Sequence, residues 1–589
     1  MLIQPIDAGA ADPNQTEPPI DQVDLVMYAD PGFPIPVQQM VVPNDSLPLW
    51  QQALDTGDVE LQRLTLDSIS IAHQHGMQGL EIFVDPIVSL IQQPELLADV
   101  RLAGIKALIE LDQRNQAQLL ATLARNNGRA AASIIEPALT RWESDVLADD
   151  WLKRLASPSA GRQSMIRAAQ GLAALQESAA IDPLKKRVAD RLTPPDVRLA
   201  AADSLGHITD NGLQSLATEL LERPGQPTLP GLLAASLLDR HTDAESIDVL
   251  KQLAQRPQTL VQSEALARLY AIDSNLLLEF ATTAITSPDV NVRRWIGRAL
   301  IDSNDVDRME LLCTLLDDVN PSLRQRVAAA LVRLAGNDTL RDAIIAHTSG
   351  VLDQDAWRGC EQAAIVLVNL DHRAAGDRLV DLLQHPRGEV MTTAAWGLRR
   401  FGLKQHLPAM LGRAKSGAQI PPQDPPAGEI PDQLGPKDMM AQLFMAFGQM
   451  DFREAEELMR TYLPKSYTKG NDARAAAVWS LGYFYEDESP DELTKILSQQ
   501  LADADGDLPE LEEVRRMSAI SLGRMNSSSA IAGLRDYAGD DSGMVSRSCH
   551  WAIEKITGEP IPPPRKSLPL TYDNWFLTPV PATDENSSK

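Results

Sequence analysis

The chain has 589 residues, of which 44% are hydrophobic, 23% charged and 4% aromatic. Acidic residues outnumber basic ones 81 to 54, and a formal charge of -27 argues against a chain built to neutralise nucleic-acid phosphates along its length. Three cysteines (Cys313, Cys360 and Cys549) exclude both a disulfide framework and a zinc site of four thiolates, and no apolar run approaches the roughly 18 residues of a membrane span.

Residues 1–48 come first and carry nine prolines, so they read as an extended N-terminal segment. They hold neither a basic stretch nor an apolar stretch of the signal-peptide kind. A cytoplasmic location is the default expectation; an envelope or exported location is the alternative if Met1 is not the true start.

From residue 49 onward a helical apolar pattern recurs. Asp196-Val-Arg198-Leu-Ala-Ala-Ala-Asp-Ser-Leu205-Gly206 is echoed by segments beginning at Val292-Arg293, Leu323-Arg324 and Val514-Arg515. With the arginine at position zero, apolar or small residues recur at -1, +3, +4, +7 and +10, one face of a helix. The frame places zero positions at 62, 101, 132, 165, 198, 231, 262, 293, 324, 360, 391, 440, 474, 515 and 546, most often 31 residues apart. Such a step holds two short helices and two turns. The reading is an all-α solenoid of about 15 helix pairs with proline-rich flanks.

The array divides into residues 49–412 and 438–557. Between them lies 413–437, a proline-rich insertion with Pro421, Pro422, Pro425, Pro426, Pro431 and Pro436, expected as a surface loop. Residues 558–589 form a proline-rich tail in which Pro560-Ile-Pro-Pro563-Pro-Arg565 fits a PxxPxR ligand pattern; a tail lying on its own array is the preferred reading.

The Asp-x-x-x-Arg or Asp-Val-Arg opening and Ala-Leu-Gly close resemble the short HEAT-like repeats of the phycobilisome lyase type, over roughly residues 50–557. The resemblance implies the solenoid fold. Its functional implication is broad, because such repeats serve bilin lyases, hydroxylases and scaffolds alike. The iron hydroxylase of that type uses His-Glu dipeptides, and none of the nine histidines here precedes a glutamate.

No phosphate-binding glycine loop, nucleophile elbow or haem motif is present, so neither catalytic residues nor a cofactor is expected. His73 and His75 point apart on a helix and read as a solvated helix end. Cys549, beside His550, reads as a buried thiol. Asp503, Asp505, Gly506 and Glu512 fall at calcium-loop positions, but Leu501 occupies the place of the first oxygen ligand, so a plain acidic loop is preferred. The basic clusters Lys185-Lys186-Arg187, Arg293-Arg294, Arg399-Arg400 and Arg515-Arg516 are each only two or three residues long, the two that begin at position zero (Arg293-Arg294 and Arg515-Arg516) read as bridges between repeats, and no nucleic-acid partner is expected.

Position +5 carries the functional signal. At about 100° per residue it points away from the buried face of the second helix, toward the concave side of a solenoid. The first nine +5 residues are Asp67, Lys106, Pro137, Gln170, Asp203, Ser236, Ala267, Arg298 and Ala329; the last six are Ile365, Trp396, Met445, Trp479, Ile520 and Trp551. An open row of this kind exceeds what a monomer leaves to water, and tryptophan is enriched at binding hot spots. Either a protein or peptide partner sits on it, or the chain covers it itself, with 413–437 and the tail (Tyr572, Trp575, Phe576) as the candidate covers. The preferred function is a non-enzymatic scaffold or adaptor binding on this concave C-terminal half. The alternative is a bilin-lyase-like or other cofactor-handling enzyme.

Overall fold

The computed structural model describes residues 19–33, 46–223, 226–418, 436–466, 468–505 and 507–562. Most of the insertion and nearly all of the tail, including Tyr572, Trp575 and Phe576, lie outside the described residues. Among those described there is no β-strand, and the fold is an all-α solenoid.

Fifteen second helices alternate with first helices that are shorter in every pair but the one opened by Asp338–Leu352. They are α1 (Val59–Gln74), α2 (Ala98–Glu110), α3 (Gly128–Arg141), α4 (Arg162–Ala174), α5 (Pro195–Ile208), α6 (Thr228–Leu237), α7 (Thr259–Ile272) and α8 (Val290–Ser303). The series continues with α9 (Pro321–Leu334), α10 (Trp357–Asn369), α11 (Gly388–Phe401), α12 (Pro436–Gln449), α13 (Asn471–Phe484), α14 (Glu512–Arg524) and α15 (Gly543–Thr557). Every zero position of the sequence frame falls inside one of them.

Local chemistry explains the starts and stops. Asp58, Asp289, Asn320 and Ser542 cap helix N-termini through their side chains, and Pro195 and Pro321 occupy first-turn positions where no N–H is needed. At the other end the chain turns left-handed at frame position +11 in Asp112, Glu143, Gln176, Asn304, Asp371, Gly402, Asp451 and Asn526. Asparagine, aspartate and glycine tolerate that conformation best, so the recurrence is an independent check on the register.

Position zero is a carbonyl cap. Arg101 donates to Ile91 O, Arg198 to Val188 O, Arg474 to Tyr462 O and Leu463 O, and Arg515 to Leu501 O. Gln62 and Gln262 do the same to Leu54 O and Ala254 O. Each side chain satisfies carbonyls that the preceding first helix leaves unpaired at its C-terminus. Arg293, Arg474 and Arg515 also reach forward to Asp318, Glu510 and Asp540 of the next pair. The zero-position arginine therefore bridges repeats.

The close of the motif is a packing device. A Cβ on Gly448 would lie 2.8 Å from Ser480 Cβ, and one on Gly482 would lie 2.7 Å from Ser521 Cβ. Consecutive second helices approach so closely there that only glycine fits.

The chain divides into two compact units. In the first, residues 46–272, helices α1–α7 leave +5 residues such as Lys106, Pro137 and Asp203 exposed. Glu136 is fully buried in this unit, paired with Arg154 at 2.6 Å and Arg167 at 2.8 Å. The second unit combines residues 273–562 with residues 19–33 and contains α8–α15. Its α11 to α14 helices are buried nearly all round, with every residue from Met439 to Gly448 in α12 and from Val514 to Arg524 in α14 inside.

Two sequence expectations are corrected. The expected 413–437 loop begins later, since its flanking first helix continues to Ala418 and α12 starts at Pro436. No proline precedes Pro421 to stop that helix, and a first-turn proline costs no hydrogen bond. The second correction concerns the N-terminal segment, which includes a 3-10 turn at Val26–Ala29 and a helix from Ser46, and part of which is integral to the second unit.

Candidate functional site

The +5 row does not stand open. Ile365, Trp396, Met445, Trp479 and Ile520 are all buried, with both tryptophans at 0% exposure; Trp551 alone is half-buried and packs toward Gly523. Of the two readings open from the sequence, covering by the chain itself is the one seen, and among the described residues the cover is neither of the two segments named as candidates. The cover is one that the periodicity does not encode: residues 20–33 lie along the +5 side of α10 to α14.

The segment runs in the same direction as the array. At its start the Asp21 backbone N–H donates to Asn369 Oδ1, and Asn369 Nδ2 donates back to Asp21 O, both at 2.9 Å. Arg400 pairs with the Asp21 carboxylate. Three residues on, Asp24 Oδ1 accepts from Trp396 Nε1 at 2.8 Å and from the Arg399 guanidinium. Gln442 Nε2 donates to Asp24 O at 2.7 Å.

Met27 is the apolar anchor, with 0% exposure. Next to it the Tyr28 hydroxyl donates to Asp472 on α13, and Arg516 donates to Tyr28 O at 2.8 Å while lying 5.5 Å from the tyrosine ring centre. Burial, then the Asp472 carboxylate, holds the Tyr28 hydroxyl well above the usual phenol range. Asp30 ends the hydrogen-bond series, and the Arg516 guanidinium also lies 5.8 Å from the Phe33 ring centre. Asp30 Oδ2 accepts from Trp479 Nε1 at 3.0 Å, Tyr483 OH at 2.6 Å and Arg524 Nη2 at 2.6 Å. Burial first, and the Asp30 hydrogen bond second, push the Tyr483 hydroxyl up to about 12.

The chemistry of the groove is consistent from end to end. Around Asp21, Asp24 and Asp30 its wall offers mainly indole N–H and guanidinium donors to carboxylates that only accept, while Asn369 and Asp472 accept from the Asp21 N–H and the Tyr28 hydroxyl. Burial pulls the guanidiniums of Arg399 and Arg516 below the usual arginine range, which makes a nearby anion more favourable still. Between the donors lies the apolar floor supplied by the +5 row.

Position +5 located the floor, but the polar wall was missed. Asn369, Arg400, Tyr483 and Arg524 all stand at +9, one helical turn beyond +5 on the same face, with Arg399 at +8 and Arg516 at +1. A scan of +9 beside +5 exposes that wall, and the three aspartates among apolar residues in 20–33 are its complement.

The remaining candidates have structural employment. Among the described residues no group of His, Cys, Asp and Glu could hold a metal ion. Asp503 pairs with Lys465 at 2.6 Å, and Glu512 accepts from Ser542 Oγ at 2.6 Å. All three thiols are buried; burial pushes Cys313 up to about 11 and Cys549 up to about 12, away from the reactive thiolate. His73 and His75 are exposed at the end of α1. Of the basic clusters, Arg187 binds Leu155 O and Ser157 O, and the other three contribute the pairs already described. No described helix is long and apolar enough to cross a membrane.

No protein-family model matches the sequence, and no curated protein is significantly similar to it. Solved structures do resemble the chain. A chain from the complex of Kap95p with RanGDP has a TM-score of 0.49 and 13% identity, over 87% of this chain and 72% of that one. A Kap121p mutant gives 0.49 and 11%, over 87% and 57%. Yeast importin-β (Kap95p) gives 0.42 and 14%, over 86% and 72%.

Proposed function

We propose that the protein is a non-enzymatic scaffold or adaptor that binds a protein or peptide in the groove along α10 to α14. One observation carries this reading. The groove already holds a peptide, the chain's own residues 20–33, through side chains matched to three aspartates and one apolar anchor. Tryptophan and arginine are the residue types most often found to dominate such interfaces. The cofactor-handling alternative has less support, because the thiols are buried and held protonated.

The test is calorimetric titration of the full chain carrying Asp24→Asn and Asp30→Asn with a synthetic peptide of residues 19–33. Saturable one-to-one binding is expected, abolished by adding Trp479→Ala. Absence of binding to the folded Asp24→Asn/Asp30→Asn chain refutes the reading.

A further inference from the structure

Residues 20–33 fill the groove incompletely. Arg516 Nε and Arg524 Nη1 are buried and have no hydrogen-bond partner among the described residues, although both guanidiniums face the segment through their other nitrogens. A buried donor left unpaired carries its full desolvation cost. The carboxylates of Asp24 and Asp21 are held at the rim, 50% and 59% exposed, whereas that of Asp30 is 30% exposed; Met27 alone is fully enclosed. The bound segment is thus a ligand of less than maximal fit, anchored at Met27 and Asp30, with the ion pairs of Asp21 and Asp24 open to water.

From this we infer that residues 20–33 are a displaceable stand-in for an external partner. That partner is an extended acidic peptide with carboxylates spaced as Asp21, Asp24 and Asp30 are, an apolar side chain at the Met27 place, and a further acceptor that reaches Arg516 and Arg524. The inference rests on the proposed peptide-binding function and adds to it the partner's chemistry and the competition. Charge complementarity supports the choice. Arg399, Arg400, Arg516 and Arg524 outnumber the carboxylates of Asp472 and Glu513 that also face the segment, in a chain whose formal charge is -27, so the groove is a local exception to the repulsion an acidic ligand meets elsewhere. An apolar floor of Trp396, Met445, Trp479 and Ile520 favours a peptide over a simple polyanion. A covalently tethered competitor lowers apparent affinity without changing any contact.

The experiment uses the full chain and a fluorescent peptide of residues 19–33 as probe, read by anisotropy. The Asp24→Asn/Asp30→Asn chain is expected to bind it at least about tenfold more tightly than wild type, because its own segment competes poorly. A probe extended by an acidic residue after Phe33 should bind both chains more tightly than the plain probe, and a scrambled probe should bind neither. Equal affinity for the two chains leaves the peptide-binding function standing and overturns the displacement. Binding to neither chain overturns both. An oligonucleotide that displaces the probe as well as unlabelled peptide does overturns the peptide assignment. Hydrogen exchange on wild type needs no variant: saturating probe must speed exchange in residues 20–33 while α10 to α14 stay protected, and unchanged exchange in the segment refutes displacement.

Discussion

Trp479 Nε1 donates to Asp30 Oδ2 at 3.0 Å, joining two residues 449 positions apart in the chain. The same oxygen takes hydrogen bonds from Tyr483 and Arg524, so three donors from two helices converge on one atom. The Arg524 guanidinium also stacks 3.8 Å from the Tyr483 ring centre. Asp30 is the best-held polar group of the segment, and the first three predictions turn on this cluster.

Trp479→Ala removes a fully buried indole and should destabilise the second unit by about 3 to 5 kcal/mol. Trp551→Ala, at a half-buried site, should cost about 1 to 2 kcal/mol. Denaturant unfolding of the two variants checks the contrast; equal small losses would mean that the indole of Trp479 is open to water.

Arg524→Ala and Arg400→Ala both delete an ion pair to the segment, at different depths. Arg524 is buried, so its removal should cost about 1 to 3 kcal/mol after allowance for the partial exposure of Asp30. Arg400 and Asp21 are both exposed, and that loss should be below about 1 kcal/mol. Hydrogen exchange of residues 19–33 should accelerate strongly in the first variant and little in the second.

Tyr483 makes stability pH-dependent in the alkaline range. Its folded pKa is raised to about 12 from an ordinary value of 10.0, so between those values the folded state keeps a proton the unfolded state has lost. The stabilisation is fully present below pH 10 and is lost as pH rises through 12. Tyr483→Phe should flatten that part of the stability profile, and ultraviolet titration should lose one late-ionising tyrosine.

Arg474 and Glu510 form a bidentate pair at 2.6 and 2.7 Å, both side chains essentially without exposure. Arg474→Ala strands a buried carboxylate and frees the carbonyls of Tyr462 and Leu463, at an expected cost of about 3 to 5 kcal/mol. Adding Glu510→Ala should recover part of that loss. A double mutant as unstable as the sum of the singles would contradict direct coupling.

Gly482→Ala places a Cβ 2.7 Å from Ser521 Cβ and 2.9 Å from its Cα, both on a neighbouring helix that cannot yield like a flexible side-chain end. Overpacking of this kind should cost about 1 to 3 kcal/mol. Gly533→Ala, with open space at its Cβ, is the control and should be neutral in a thermal melt.

The repeat was legible in the sequence because helical periodicity is local. Apolar residues at -1, +3, +4, +7 and +10 and proline or aspartate at the turns act within one pair, and all fifteen zero positions fall in second helices. The abrupt change of +5 from polar or small to large apolar residues after Ala329 coincides with the helices that residues 20–33 cover, since a floor must be apolar wherever it is covered. The cover itself was not legible. The bonds of Asp24 to Trp396 and of Asp30 to Trp479 span 372 and 449 residues, and no local rule selects residues 20–33 over another proline-rich stretch. Tertiary structure decided that through the match of three carboxylates to a wall of indole and guanidinium donors. The sequence by itself determined the helices and the face they leave over; only folding in three dimensions determined what lies on that face, because complementarity of charge and shape between distant segments has no period.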